Sequence, residues 1–139
     1  MIFHDAVHAS TEYSAAQKDA WAPAPPDLAA WAARFERTTP WIALRDNTPV
    51  GFIEWHPCSC IDCCYVAPAY QRSGIATYMV QWIEVRARCA GVTALHVDAS
   101  LGAHTFFKRL GFKTLRRCHP VRSGVVLRNF VMRKALVSR

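Results

Sequence analysis

Residues 65–79, "YVAPAYQRSGIATYM", decide how this chain folds. A strand-like run ends at Val66, Pro68 interrupts it, and Gln71-Arg72-Ser73-Gly74-Ile75-Ala76 leads straight into a segment of helical spacing. Small residues at 73, 74 and 76 let the backbone come close to a ligand. The first turn of the helix offers unpaired N–H groups and the positive end of its dipole, and Arg72 adds a fixed charge suited to phosphate. The physical reading is a pyrophosphate seat. The plainer alternative is an ordinary strand-to-helix loop in which Gly74 only relieves backbone strain.

Outward from this junction the pattern is consistent. Downstream, "GIATYMVQWIEVRARCAG" places Ile75, Met79, Trp82 and Ile83 at helical spacing, with Gly91 positioned to end the helix. "TALHVDAS" alternates as a strand, "GAHTFFKRLGF" reads as a short helix stopped at Gly111, and "FKTLRRCHPV" and "VVLRNFVMRKAL" read as two strands joined through Arg122-Ser123-Gly124. Upstream, "CIDCCYV" is a strand, and "PWIALRDNTPVGFIEWH" reads as a hairpin turning through Asp46-Asn47-Thr48-Pro49. The first forty residues are helical. "MIFHDAVHASTEY" can form a short helix that "SAAQKDAWAPAPP" continues from a Ser14 cap until the prolines stop it, and a second helix, "DLAAWAARFERT", sets Leu28, Trp31 and Phe35 on one face. This order predicts one α/β (α+β) domain over residues 1–139. Its sheet is mixed and mostly antiparallel, of about six strands flanked by about four helices, with a crossover through the long helix into a parallel neighbour.

Composition excludes several classes. At 139 residues and 52% apolar content the chain suits one core, and no apolar run approaches the ~20 residues needed to span a bilayer. "MIFHDAVHAS" lacks the pattern of a signal peptide, so a cytoplasmic protein with reduced thiols is expected. Seventeen Lys and Arg against ten Asp and Glu give +7, which favours an anionic ligand. The basic residues are scattered and the aromatics core-like, which argues against nucleic acid.

Four of six cysteines fall in Cys58-Ser59-Cys60-Ile61-Asp62-Cys63-Cys64. On a strand Cys63 and Cys64 point to opposite faces, and Cys60 and Cys64 stand about 13 Å apart, too far for one zinc ion. No metal is expected. Regular alternation puts Cys60, Asp62, Cys64 and Val66 on one face.

Gln71 to Ala76 resembles the Gln/Arg-x-x-Gly-x-Gly/Ala loop of the GNAT superfamily of acyl-CoA N-acyltransferases, and Ser100, Ala103, Phe106, Phe107, Gly111 and Phe112 approach its second signature. "YSAAQKDAWAP" and "RNFVMRK" are similar to a small bacterial YafP-like branch. The resemblance spans nearly the whole chain; against the family pattern, a shortened N-terminus without the usual first strand is expected, and Phe107 stands where the family often has the Tyr that protonates the departing thiolate. It implies acetyl-CoA as co-substrate and transfer of its acetyl group to a primary amine of a small molecule or peptide, by direct attack in a ternary complex. It implies that Tyr65, Val66, Arg72, Ser73, Gly74, Ile75, Ala76, Thr77, Ser100 and Phe107 meet the cofactor, and that Tyr13 and Trp21 touch substrate. Glu54 and Asp62, carboxylates in apolar strands, are the candidate bases. His104, Tyr65 and Ser100 are possible replacements for the missing Tyr. No membrane or nucleic-acid partner is expected, and an uncovered sheet edge invites a homodimer. Two rivals remain: a catalytically weak CoA-sensing domain, and a thiol or metal-stress protein built on the cysteines.

Overall fold

Helix α1 (Ile2–His8) gives way to α2 (Ala15–Trp21) because Ser14 starts a new helix. Its hydroxyl accepts from the Gln17 amide at 3.1 Å while the Gln17 side chain accepts from the Ser14 amide at 2.9 Å, a reciprocal cap. Asp27 caps α3 (Leu28–Thr38) in the same way, accepting from the Ala30 amide at 3.0 Å. The molecule is a computed structural model that describes residues 2–9, 13–23, 26–38, 40–56, 60–122 and 124–136.

The strands are β1 (Trp41–Arg45), β2 (Thr48–Trp55), β3 (Cys60–Val66), β4 (Ala94–Ser100), β5 (Lys113–Cys118), β6 (Val121–Arg122), β7 (Val125–Val126) and β8 (Asn129–Ala135). Six form one sheet in the order β1-β2-β3-β4-β8-β5, parallel only between β3 and β4. Between those two the chain makes a 3-10 turn (Pro68–Tyr70) and the long helix α4 (Ile75–Cys89); α5 (His104–Arg109) follows β4. Five helices are described rather than about four, because the N-terminal region folds as three.

Two turns differ from expectation. Arg45 pairs directly with Thr48, so the β1–β2 loop is only Asp46 and Asn47, both at positive φ, and Pro49 already belongs to β2. The last two strands are interrupted by the separate β6–β7 hairpin, with Leu127 buried behind it. Ser123 of that turn lies outside the described residues, as do Cys58 and Ser59 of the cysteine-rich stretch.

Helix α4 packs on one face of the sheet, where Met79, Val80, Ile83 and Ala87 meet Ile53, Ile61, Val66, Leu95, Val97 and Met132. Glu84, also buried, is neutralised by Lys134 of β8 at 2.7 Å. On the opposite face Trp31 and Phe35 of α3 lie edge-on to Phe52, with centroids at 6.0 and 5.7 Å.

One irregularity shapes the site. Glu54 pairs with Cys63 but Trp55 with Ile61, so β3 carries one extra residue, Asp62, against β2. The bulge reverses the alternation expected for a regular strand. Ile61, Cys64 and Val66 pack with the α4 core, whereas Cys63 meets Arg34 of α3 and Tyr65 meets Phe3 of α1. Asp62 therefore does not share the face of Cys64 and Val66.

Candidate active site

β3 and β4 pair at only two positions, Cys60 with His96 and Ile61 with Val97, and then diverge toward their C-terminal ends. The opening is a cleft lined by Ile61, Asp62, Cys64 and Tyr65 on the β3 side and by Val97, Asp98, Ala99 and Ser100 on the β4 side. Phe107 and Ala103 close one end and Trp21 reaches in from α2. Backbone groups of both strands that lack a partner strand face this gap, so an extended ligand can take the place of strand pairing.

The loop after β3 stands at the mouth of the same opening. The Gln71 side-chain Nε2 donates to the Val66 carbonyl at 3.2 Å, and the Ser73 hydroxyl donates to the Tyr70 carbonyl, which folds residues 70–74 back on the strand end. Arg72 and Gly74 both take positive φ, +60° and +86°. Gly74 is the residue before α4, and no side chain caps that helix. The amides of Ile75, Ala76 and Thr77 thus keep their capacity to bind an anion, with the dipole of a fifteen-residue helix behind them.

The two candidate bases differ sharply. Glu54 is fully buried and held by both oxygens to Arg34 Nε, at 2.9 and 3.1 Å. That hydrogen bond raises the affinity of Arg34 for its own proton. Asp62 is exposed, lines the cleft, and receives His56 Nε2 at 2.6 Å and the Cys60 thiol at 3.1 Å. Burial pushes the Cys64 thiol up to about 12 and holds the Tyr65 phenol well above the usual tyrosine range, so both present protons rather than charge to the cleft at neutral pH.

Of the two residues expected to touch substrate, Trp21 lines the cleft but Tyr13 does not. Tyr13 is buried; its hydroxyl accepts from the Leu101 amide at 2.6 Å and faces the Arg128 carbonyl at 2.9 Å, tying the end of β4 to the start of β8. Val66 is close by but its side chain sits in the core. Phe107 is 3% exposed and edge-on to Phe112. Two residues escaped the sequence reading: Asp98, which lines the cleft, and His56, which stands against the cleft residue Asp62. Asp98 was legible, since it lies two before Ser100 and shares its face; His56 was not, because only the bulge brings it to Asp62. Among the described residues no group of three or more His, Cys, Asp and Glu side chains is arranged to hold a metal ion. A roomier concavity, lined by Trp41, Ile42, Ala43, Ile53, Tyr78, Met79 and Trp82, lies on the α4 face beside β1 and has no acid or base.

Comparison with known proteins agrees with this geometry. The sequence profile of the Acetyltransferase (GNAT) family matches residues 6–112. The N-acetyltransferase YafP of Escherichia coli K12 is 34% identical over 125 residues, covering 90% of this chain and 78% of that protein. A GCN5-related N-acetyltransferase from Rhodopseudomonas palustris superposes with a TM-score of 0.91 at 34% identity, over 97% of this chain and 86% of the other. The fold is also shared with the PaiA N-acetyltransferase of Thermoplasma acidophilum, whose structure is a complex with coenzyme A, at TM-score 0.67 and 17% identity over 96% and 88% of the two chains. With a profile match across most of its length and relatives that agree in sequence and in fold, the chain belongs to the GNAT family of acetyltransferases.

Proposed function

We propose that this acetyltransferase moves an acetyl group from acetyl-CoA to a primary amine of a small molecule or peptide, by direct attack within a ternary complex. The observation that carries the reading is the parallel seam that opens after Ile61 and Val97 and ends at the uncapped N-terminus of α4. Acetyl-CoA fits that shape: pyrophosphate on the amides and side chains of Arg72 to Thr77, pantetheine along Tyr65 and Val66, and the thioester deeper between the strands, with Ser100 and Phe107 on the far side. That the structure of the PaiA protein, which shares the fold, is a complex with coenzyme A supports a coenzyme A ligand.

Attack of the amine puts negative charge on the thioester oxygen, which a backbone N–H of β3 facing the gap stabilises. The acceptor enters from the α1–α3 side, past Trp21 and Tyr65, and loses its proton on the Asp62 side of the cleft. Glu54 is the poorer base, because taking a proton would break its ion pair with Arg34 in a buried position. Phe107 has no proton to give, and a CoA thiolate is a tolerable leaving group near neutral pH, with a thiol pKa of about 8.5. No metal takes part in the reaction as proposed. The uncovered edge of β1, with Ile42 and Leu44 exposed, is the place where a homodimer would pair.

Acetyl-CoA is expected to raise the melting temperature and to release free thiol when a suitable amine is added. Gly74→Val should abolish the thermal shift. An added Cβ there meets nothing within 4 Å, so the loss would come from the backbone conformation that a β-branched residue resists. No shift at millimolar acetyl-CoA overturns the proposal; a shift without transfer to any of a broad panel of amines leaves a sensor.

A further inference from the structure

We propose that His56, held by Asp62, is the group that takes the proton of the incoming ammonium, and that Asp62 is its positioning residue. This rests on the acetyl-transfer reading above and names the base within it. His56 closes β2: its amide donates to the Cys60 carbonyl at 3.1 Å across the turn into β3. That bond, together with the extra residue in β3, sets the imidazole against the one carboxylate that lines the cleft on this side, with Nε2 at 2.6 Å from Asp62 Oδ2.

The chemistry follows from the partners. A carboxylate only accepts, so in the neutral ring Nε2 carries the hydrogen and Nδ1 carries the lone pair. Among the described residues Nδ1 has no hydrogen-bond partner. Both side chains are about one-third exposed, 39% and 32%, so an ammonium or one bridging water can reach that nitrogen. The charged and titratable neighbours are Cys60, whose thiol donates to the other Asp62 oxygen, Arg34 and Cys63 from the α3 side, and Asp98 across the cleft. Arg34 is already committed to Glu54, and Cys63 stays a neutral thiol because burial raises its pKa.

The step balances. One ammonium proton passes to His56 Nδ1, and the freed lone pair forms the C–N bond to the thioester carbonyl carbon. The C–S bond breaks with its electron pair on the CoA sulfur. The second amine proton leaves to solvent and the thiolate is protonated from solvent, giving amide, CoA thiol and His56 in its protonated form, which then returns its proton to water.

The test is the pH dependence of kcat/KM for wild type, His56→Gln and Asp62→Asn, with acetyl-CoA and an amine the enzyme accepts. With a side chain as base, wild-type kcat/KM should reach a plateau at a lower pH than titration of the free amine alone would give. His56→Gln should be slower by about 100-fold near pH 7 and should keep climbing by about tenfold per pH unit until the amine is neutral. Asp62→Asn should lie between them. The acetyl-CoA thermal shift should be retained in His56→Gln, whose side chain lies outside the cleft lining, which separates a lost base from a lost fold. A His56→Gln profile that levels off like wild type overturns the assignment while leaving acetyl transfer intact; a wild type that binds acetyl-CoA and acetylates no amine overturns both.

Discussion

Two seams of one sheet, both involving β4, are built in opposite ways. Against β8 the strand is paired at all seven positions from Ala94 to Ser100; against β3 it is paired at two and then lets go. The closed seam is locked at its ligand end by Tyr13, which spans Leu101 and Arg128. The open seam has no such lock, and its free half of β3 is supported from elsewhere: by β2 along one edge, by α4 behind, and by the Arg34–Glu54 pair in front. An interior that leaves backbone groups without partners costs stability unless something fills the gap. The opening is thus maintained by face packing rather than by strand pairing.

The largest test of that contrast removes the front support. Arg34→Ala leaves the fully buried Glu54 carboxylate without its partner, and urea unfolding should show a loss of about 3–5 kcal/mol. A loss below about 1 kcal/mol would mean the pair does not hold β2 and β3 in place.

Next comes the support from behind. A Cβ at Gly51 would stand 2.9 Å from the Tyr65 carbonyl and 3.2 Å from Met79 Cε. Gly51→Ala must therefore push the free half of β3 outward or α4 away. Overpacking of this kind costs about 1–3 kcal/mol. It should weaken acetyl-CoA binding as measured by the thermal shift, and leave amide exchange in the β4–β8 seam unchanged. Uniformly faster exchange in both seams would show that the two are not independent.

The smallest effect is in alkali. Burial raises the Cys64 thiol from its ordinary value of 9.0 to about 12, so the unfolded chain gives up this proton first. Stability should be untouched below about pH 8.5 and fall progressively from there toward pH 12, with the sign set by the raised folded-state value. Cys63 and Tyr65 are shifted in the same direction, so Cys64→Ala should flatten the fall without abolishing it.

The local half of the site was readable because its physics is local. The strand stop at Val66, the loop and the helix start lie within a dozen residues, and helix periodicity, a glycine at positive φ and an uncapped first turn are all properties of contiguous chain. The same holds for the Ser14 cap. The acceptor side was read less well. Tyr13, expected against substrate, is a buried tie between distant segments, with partners 88 to 116 residues away. Glu54 and Asp62 looked alike in sequence, two carboxylates in apolar strands, yet one is sealed under Arg34 and the other stands open beside His56.

The order of elements, the parallel crossover and the strand–loop–helix junction with its uncapped first turn are all readable from sequence, because each depends on spacing along the chain. Which carboxylate faces the cleft was decided only in tertiary structure. A single extra residue in β3 reverses the alternation of every side chain before it, and that bulge exists only once β3 is registered against β2.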